Sequence, residues 1–411
     1  MRKNVWSKDF TLITIGTVIS IIGSTVIRLP LSLLVFDETN STFLAALLFI
    51  IGLVPSVIIP IAIAPIIDRN PKKPIVVGFD YLLGVLYLLI SLLVFRIGFN
   101  YNIYLIISFL LGIIGSVYGI AYQAWFPDLI PLGFEQQGFA VSSSIYPSVT
   151  IIMAPVAAFL YKTIDIHWIF VIVGVLLIFS ATFELFIAET IKSKKSQSAG
   201  FKGYIKEMMS GIEFLKKEKG ITYIYSYISV VNGVGMGNGL MTQAFFQTSA
   251  FLSVTMLGII QSAETLGRVV GGMFQYKIKV EPKKRYGVTK IVYITYELLD
   301  MMLLFLPYPA MLVNRFVAGF GGMVSATLRE TSVQSYLPRE MRAKINAVFG
   351  AAINLFMIII QLTTGALGDI FGYRRVVVIM TSFALLCVYI FIIRPREHNQ
   401  KVYEAVRVEE K

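Results

Sequence analysis

The 411-residue chain is 56% hydrophobic and only 15% charged, with a mean hydropathy of +0.75, which excludes an ordinary soluble domain. A formal net charge of +12 would suit a nucleic-acid binder, but the basic residues fall between apolar runs instead of in one patch, and that partner is excluded too. Crossing a ~30 Å hydrocarbon core takes roughly 20 helical residues. Runs of that length predict spans over Phe10–Phe36, Phe43–Ile67, Pro74–Phe95, Ile103–Trp125, Phe139–Leu160 and Trp168–Ala188. A second set follows over Ile221–Phe245, Phe251–Met273, Val288–Leu306, Pro309–Ser332, Ala347–Leu367 and Val376–Ile393. The expected fold is an all-α membrane protein of twelve transmembrane helices in two six-helix bundles, 1–188 and 221–393, with a linker at 189–220 and a tail at 394–411.

Charge sets the orientation. With an inside N-terminus, one side holds Arg2, Lys3, Lys8, Arg69, Lys72, Lys73, the blocks Lys192–Lys219 and Lys277–Lys290, Arg329, Arg339, Arg342, Lys344 and the tail. The other side holds Arg96, Lys162, Arg374 and Arg375. By the positive-inside rule both termini are expected in the cytoplasm of a multi-pass cell-membrane protein. Trp6, Trp125 and Trp168 fall at span ends, where an indole suits the headgroup layer. The first apolar stretch runs on as a full span without a cleavage site, so it is expected to remain in the mature protein. Cys387 with the distant His167 and His398 offers neither a disulfide framework nor a zinc site.

Between the halves, the Lys- and Ser-rich run Lys192–Ser198 reads as a linker. After it, Phe201, Tyr204, Ile205, Met208, Ile212 and Leu215 recur at helical spacing, as in a helix lying on the cytoplasmic leaflet, or in a solvated linker with chance periodicity. Ile130-Pro131 followed by Ala140-Val141 is matched at the same spacing by Leu337-Pro338 and Ala347-Val348, and Pro71-Lys72-Lys73 by Pro282-Lys283-Lys284. Such matches suit parallel repeats about an axis normal to the membrane, that is, bundles related by a pseudo-twofold.

The loop Ala64-Pro65-Ile66-Ile67-Asp68-Arg69-Asn70-Pro71-Lys72-Lys73 resembles the G-x-x-x-D-R-x-G-R-[KR] signature of the major facilitator superfamily, with Ala64 and Pro71 at the glycine positions. The resemblance implies a cytoplasmic gate made by Asp68, Arg69, Lys72 and Lys73; an ordinary basic loop is the alternative. Ala154-Pro155-Val156-Ala157-Ala158 resembles the G-P-x-x-G-G element of exporting branches, which implies a helix-packing role for Ala154, Pro155 and Ala158, with a simple packing kink as the other reading. Phe126-Pro127-Asp128-Leu129-Ile130-Pro131, Leu337-Pro338-Arg339-Glu340 with Asn346, and the Gly211–Leu215 helix resemble the macrolide-efflux and enterobactin-exporter branch, whose members are drug:proton antiporters.

Polar residues at membrane depth are the candidates for substrate or proton binding. Arg28 lies about 10 Å inside the first span at 1.5 Å per residue, and either faces substrate or snorkels to Asp37 and Glu38. Glu264 and Arg268 are one turn apart, as a self-neutralising pair or as a carboxylate that trades its proton. Asn232, Gln243, Gln247 and Gln261 are candidates to line the same cavity. Asp80 and Glu184 lie towards the inner ends of their spans. Glu297 and Asp300 are expected to be structural, with Asp300 and Arg315 at equal depth on either side of Pro307-Tyr308-Pro309.

The expected activity is secondary active transport: proton-coupled efflux of drug-like or amphipathic small molecules by a monomer in the lipid bilayer, without a cofactor. No P-loop glycine-lysine motif supports ATP use. A lipid flippase or transporter-derived sensor would keep the same fold. A membrane-embedded enzyme is the remaining alternative, against which the chain shows no H-E-x-x-H, G-x-S-x-G or acidic metal cluster in its loops.

Overall fold

A computed structural model describes residues 5–188, 201–278 and 280–405, which are helical apart from short turns and contain no strand. The chain divides into two compact units, Met1–Asn40 with Leu47–Phe201, and Ser41–Ala46 with Lys202–Lys411. Among the described residues eight helices are long and apolar enough to cross a membrane.

The first unit contains α1 (Lys8–Thr39), most of α2 (Thr42–Arg69), α3 (Lys72–Ile97), α4 (Tyr101–Trp125), α5 (Glu135–Thr163) and α6 (Ile166–Leu185). Helix starts carry their own stop signals for orphan N–H groups. Ser7 Oγ accepts from Phe10 N at 3.1 Å, and Asn100 Oδ1 accepts from Ile103 N at 3.3 Å. Helix α1 ends at Asn40, whose φ of 52° is the left-handed conformation that Asn tolerates and that closes a helix. Helix α1 packs on α5 and α6, and α3 on α4 and α6. Trp125 departs from its expected place in the headgroup layer. It is fully buried with Phe10, Ile67, Val76, Phe126 and Leu129, because one large ring fills the end of the bundle where α1, α2, α3 and α4 meet. Trp6 and Trp168 are exposed.

The second unit contains α7 (Phe201–Lys217), α8 (Lys219–Thr248), α9 (Val254–Lys277), α10 (Pro282–Met302), α11 (Tyr308–Tyr336), α12 (Arg339–Phe371), α13 (Tyr373–Cys387), a π-helical stretch Val388–Ile393 and α14 (Arg396–Tyr403). Helices α8, α9 and α10 are not among the eight apolar ones, since polar and charged groups interrupt them. The first turn of α2 also belongs here. Asp369, near the end of α12, accepts from Thr42 N at 2.6 Å and from the Ser41 and Thr42 hydroxyls at 2.6 and 2.7 Å, a charged cap supplied by another helix.

The tail at 394–411 differs from a plain extension. Helix α14 buries Asn399, Val402 and Tyr403 against α8, α10 and α11; Tyr403 OH lies 3.1 Å from Tyr293 OH, and Ser332 Oγ donates to the Tyr403 carbonyl at 3.0 Å. The apolar face of this short helix closes one end of the bundle. Of the linker, 189–200 lie outside the described residues, while α7 forms where the helical periodicity placed it.

Candidate functional site

A cavity of about 480 Å³ opens inside the second unit, walled by α8, α9, α10 and α11, with Met357 of α12 and Val377 of α13 also on its lining. Its geometry begins with glycine. A Cβ on Gly319 of α11 would strike the Glu264 carbonyl of α9, and one on Gly267 would strike the Phe316 carbonyl, so the two helices touch backbone to backbone. That contact draws the side chains one turn away into a single cluster.

Arg315 is its fixed part. Its Nη1 lies 2.6 Å from Asp300 Oδ1, and its Nε and Nη2 donate to Asn314 Oδ1 at 3.1 and 2.9 Å. Asn314 is itself held, donating from Nδ2 to the Leu299 carbonyl at 2.9 Å, and Asn238 of α8 donates to Asp300 Oδ2 at 3.2 Å. Glu264 is the shared member. Its Oε2 is 3.8 Å from Arg315 Nη1 and its Oε1 is 2.6 Å from Arg268 Nη2. The Arg315 side chain is 7% exposed and that of Arg268 51%, so one arginine is locked in the wall and the other reaches the open space. Two carboxylates and two guanidiniums balance in formal charge.

Spacing predicts two separate pairs, Glu264 with Arg268 and Asp300 with Arg315; the structure joins them into one network through the glycine contact. Asn232 lines the cavity and donates to the Ile228 carbonyl one turn back at 2.7 Å, and Gln261 lines it too. Gln243 does not join that lining: it is buried, with its Nε2 donating to Gln247 Oε1 at 3.1 Å. Glu297 lies outside the cluster, with Tyr227 OH 3.5 Å from its Oε1.

In the first unit, an apolar groove of about 700 Å³ runs between α1 and α5, lined by Val18, Ile22, Val141, Ile145, Val149 and Ile152 among others. Arg28 is exposed, its guanidinium 4.6 Å from the Phe49 ring centroid, a cation–π contact, and it makes no ion pair among the described residues. The Asp68 and Arg69 side chains lie outside the described residues. Lys72 opens α3, and Lys73 Nζ donates to the Ile187 carbonyl at 2.6 Å, tying α3 to the segment after α6. Ala154 and Ala158 are buried on α5, with Pro155 inside that helix.

Sequence reasoning passed over four features. Asn314 and Asn238 are the groups that orient the Arg315–Asp300 pair, and a polar residue beside a buried arginine was the available signal. The Gly267-to-Gly271 spacing is a small-residue motif that marks close helix contact. Asp80 and Glu184 come together on α3 and α6, two helices packed on each other, where equal nearness to the same end of both spans was the clue.

A model of the Major Facilitator Superfamily matches residues 13–296 and 284–409. Macrolide efflux protein A of Streptococcus pyogenes is 22% identical over 277 residues, 66% of this chain and 67% of that protein, and the form from serotype M6 matches equally. Among solved structures, the nucleoside transporter NupG aligns with a TM-score of 0.70 at 12% identity, covering 93% of this chain and 98% of that one. A bacterial homolog of the human lysosomal transporter Spinster, inward-facing and unoccupied, aligns at 0.67 and 14% identity over 99% of both chains.

Proposed function

The chain belongs to the major facilitator superfamily, and from that premise we propose that it is a proton-driven secondary transporter that exports amphipathic, macrolide-like compounds by alternating access. The observation that carries this reading is Glu264, a cavity carboxylate held between a buried and an exposed arginine. Swinging Arg268 away leaves Glu264 with its longer contact to Arg315. In this reading Glu264 carries the coupling proton in one state of the carrier and the ion pair with Arg268 in the other. Proton occupancy thereby follows the state of the carrier. The cavity of the second unit sets charged and amide groups among apolar side chains, and the first unit has its own apolar α1–α5 groove; each by itself suits an amphipathic solute. Similarity to a macrolide efflux protein supports efflux as the direction.

The same proposal includes twelve spans in two related bundles, 1–188 and 221–393, cytoplasmic termini and a place in the cell membrane, supported by the charge asymmetry and the repeated loops. It keeps Asp68, Arg69, Lys72 and Lys73 as a cytoplasmic gate and Ala154, Pro155 and Ala158 as a packing element. Inverted membrane vesicles loaded acid-inside test the function. Radiolabelled erythromycin should accumulate under the pH gradient and leak away when a protonophore is added. Accumulation of uridine in its place, or uptake indifferent to the gradient, would reject the reading.

A further inference from the structure

The first unit buries two acidic side chains that the cavity does not use. Asp80 on α3 is 1% exposed and Glu184 on α6 is 0% exposed. Ser20 of α1 donates from Oγ to Asp80 Oδ2 at 3.4 Å and lies 2.9 Å from Ser180 Oγ, and Ser180 Oγ donates to the Gly16 carbonyl at 2.9 Å. Neither oxygen of Glu184 has a hydrogen-bond partner among the described residues. Its carboxyl is seated directly on the α1 backbone, where a Cβ on Gly16 would come 2.8 Å from Oε1.

Among the described residues the neighbouring titratable groups are an acid and a cation engaged elsewhere, and tyrosines held by hydroxyl partners. Asp9 of α1 accepts from Ala188 N at 3.0 Å, and Lys73 of α3 donates to the Ile187 carbonyl. Tyr81 of α3 bonds to Thr182, Tyr122 of α4 to Thr17, and Tyr118 of α4 to Ser20. Ion pairs among the described residues join Arg268 and Arg315 to Glu264, Arg315 to Asp300, and Lys284 to Glu281; none reaches Asp80 or Glu184.

Two carboxylate charges buried side by side without a cation are not sustained in an apolar bundle. We infer that Asp80 and Glu184 form a proton-binding site, in which the two buried carboxyls hold at least one proton between them, and that this site loads and releases a proton during the transport cycle. Glu184, packed against backbone, has no room for the oxygen shell of a metal cation, whereas a proton needs none. On release a carboxyl O–H bond breaks, the proton passes to water, and the pair gains one negative charge. Ser20, the hydrogen-bond partner of Asp80, is only partly buried. The role in the cycle rests on the proton-coupled reading above; the occupancy of the site does not.

Infrared difference spectroscopy of the full chain in lipid nanodiscs separates the two. At neutral pH the protein should show the carbonyl stretch of a protonated, buried carboxyl that disappears at high pH. The band should be missing from the Asp80→Asn/Glu184→Gln double variant and kept in Glu264→Gln. Both single amide variants should unfold at the wild-type detergent concentration, since neither leaves a cation unpaired. If the double variant does not fold, Ser20→Ala should still shift the band, because it removes a hydrogen bond from the pair. In vesicles the amide variants should lose gradient-driven erythromycin accumulation and keep downhill exchange. A wild-type spectrum without a band from this pair at neutral pH, a band that responds to sodium chloride in place of pH, or amide variants that unfold easily would each overturn the site. Failure of wild-type vesicles to use a pH gradient would overturn the transport reading and with it the site's role in the cycle, while the infrared band, measured without substrate, decides the proton-binding site by itself.

Discussion

Replacing Asp300 with Asn removes the charge that faces the most deeply held cation of the second unit. Arg315 would keep its two hydrogen bonds to Asn314 Oδ1 and the Glu264 oxygen at 3.8 Å, but would lose the carboxylate at 2.6 Å. Breaking one side of a buried ion pair costs about 3 to 5 kcal/mol, and the surviving Glu264 contact places Asp300→Asn near the lower end, about 3 kcal/mol. Arg315→Gln strands Asp300 with only the Asn238 amide at 3.2 Å, which places it near the upper end, about 5 kcal/mol. The double variant leaves no stranded charge, because Glu264 still has Arg268. It should therefore be destabilised by less than the sum of the two singles, by roughly 3 kcal/mol. Reversible unfolding by dodecyl sulfate in mixed micelles, run as a double-mutant cycle, measures this coupling. Single changes that add strictly would refute the pairing.

Further expectations concern packing and topology. Gly319→Ala pushes a methyl into the Glu264 carbonyl, so α9 and α11 must part; a loss of about 1 to 3 kcal/mol is expected in the same unfolding assay, with Gly350→Ala, where a Cβ meets open space, as the control that is not destabilised. Tyr403→Ala empties the end of the second unit and breaks the hydroxyl contact to Tyr293, which should cost about 3 to 5 kcal/mol and free α14 for limited proteolysis. For topology, Ser196→Cys should react with an impermeant maleimide only after permeabilisation of cells, against a low background because the native Cys387 is buried. Rapid labelling of intact cells would reverse the assigned orientation.

Hydrophobic run lengths made the helical membrane architecture legible, since they follow from the solvent the chain must satisfy. The Asp300–Arg315 proximity was readable as well, because a tight proline turn fixes the register of the two helices it joins. Trp125 misled because an aromatic residue at a span end serves equally as a headgroup anchor or as the plug of a bundle, and only packing separates the two. The joining of Glu264 to Arg315 was hidden, since it depends on how closely α9 approaches α11, a distance that glycine permits but does not by itself announce. Gln243 shows the same limit: helical spacing gives a face, and the neighbours that cover that face come from elsewhere in the chain. Asp80 and Glu184 were visible individually, yet their joint burial appears only once α3 and α6 are packed together.

The most direct measurement is erythromycin flux in inverted vesicles containing Glu264→Gln, followed both uphill under an imposed pH gradient and downhill without one. The glutamine keeps the volume and a hydrogen-bonding group beside Arg268 but can neither take nor give the proton. Uphill accumulation should fall to the level of protonophore-treated wild type while downhill exchange persists. Uphill accumulation at the wild-type rate would show that Glu264 serves only as a partner to its two arginines, and that coupling does not pass through this cavity.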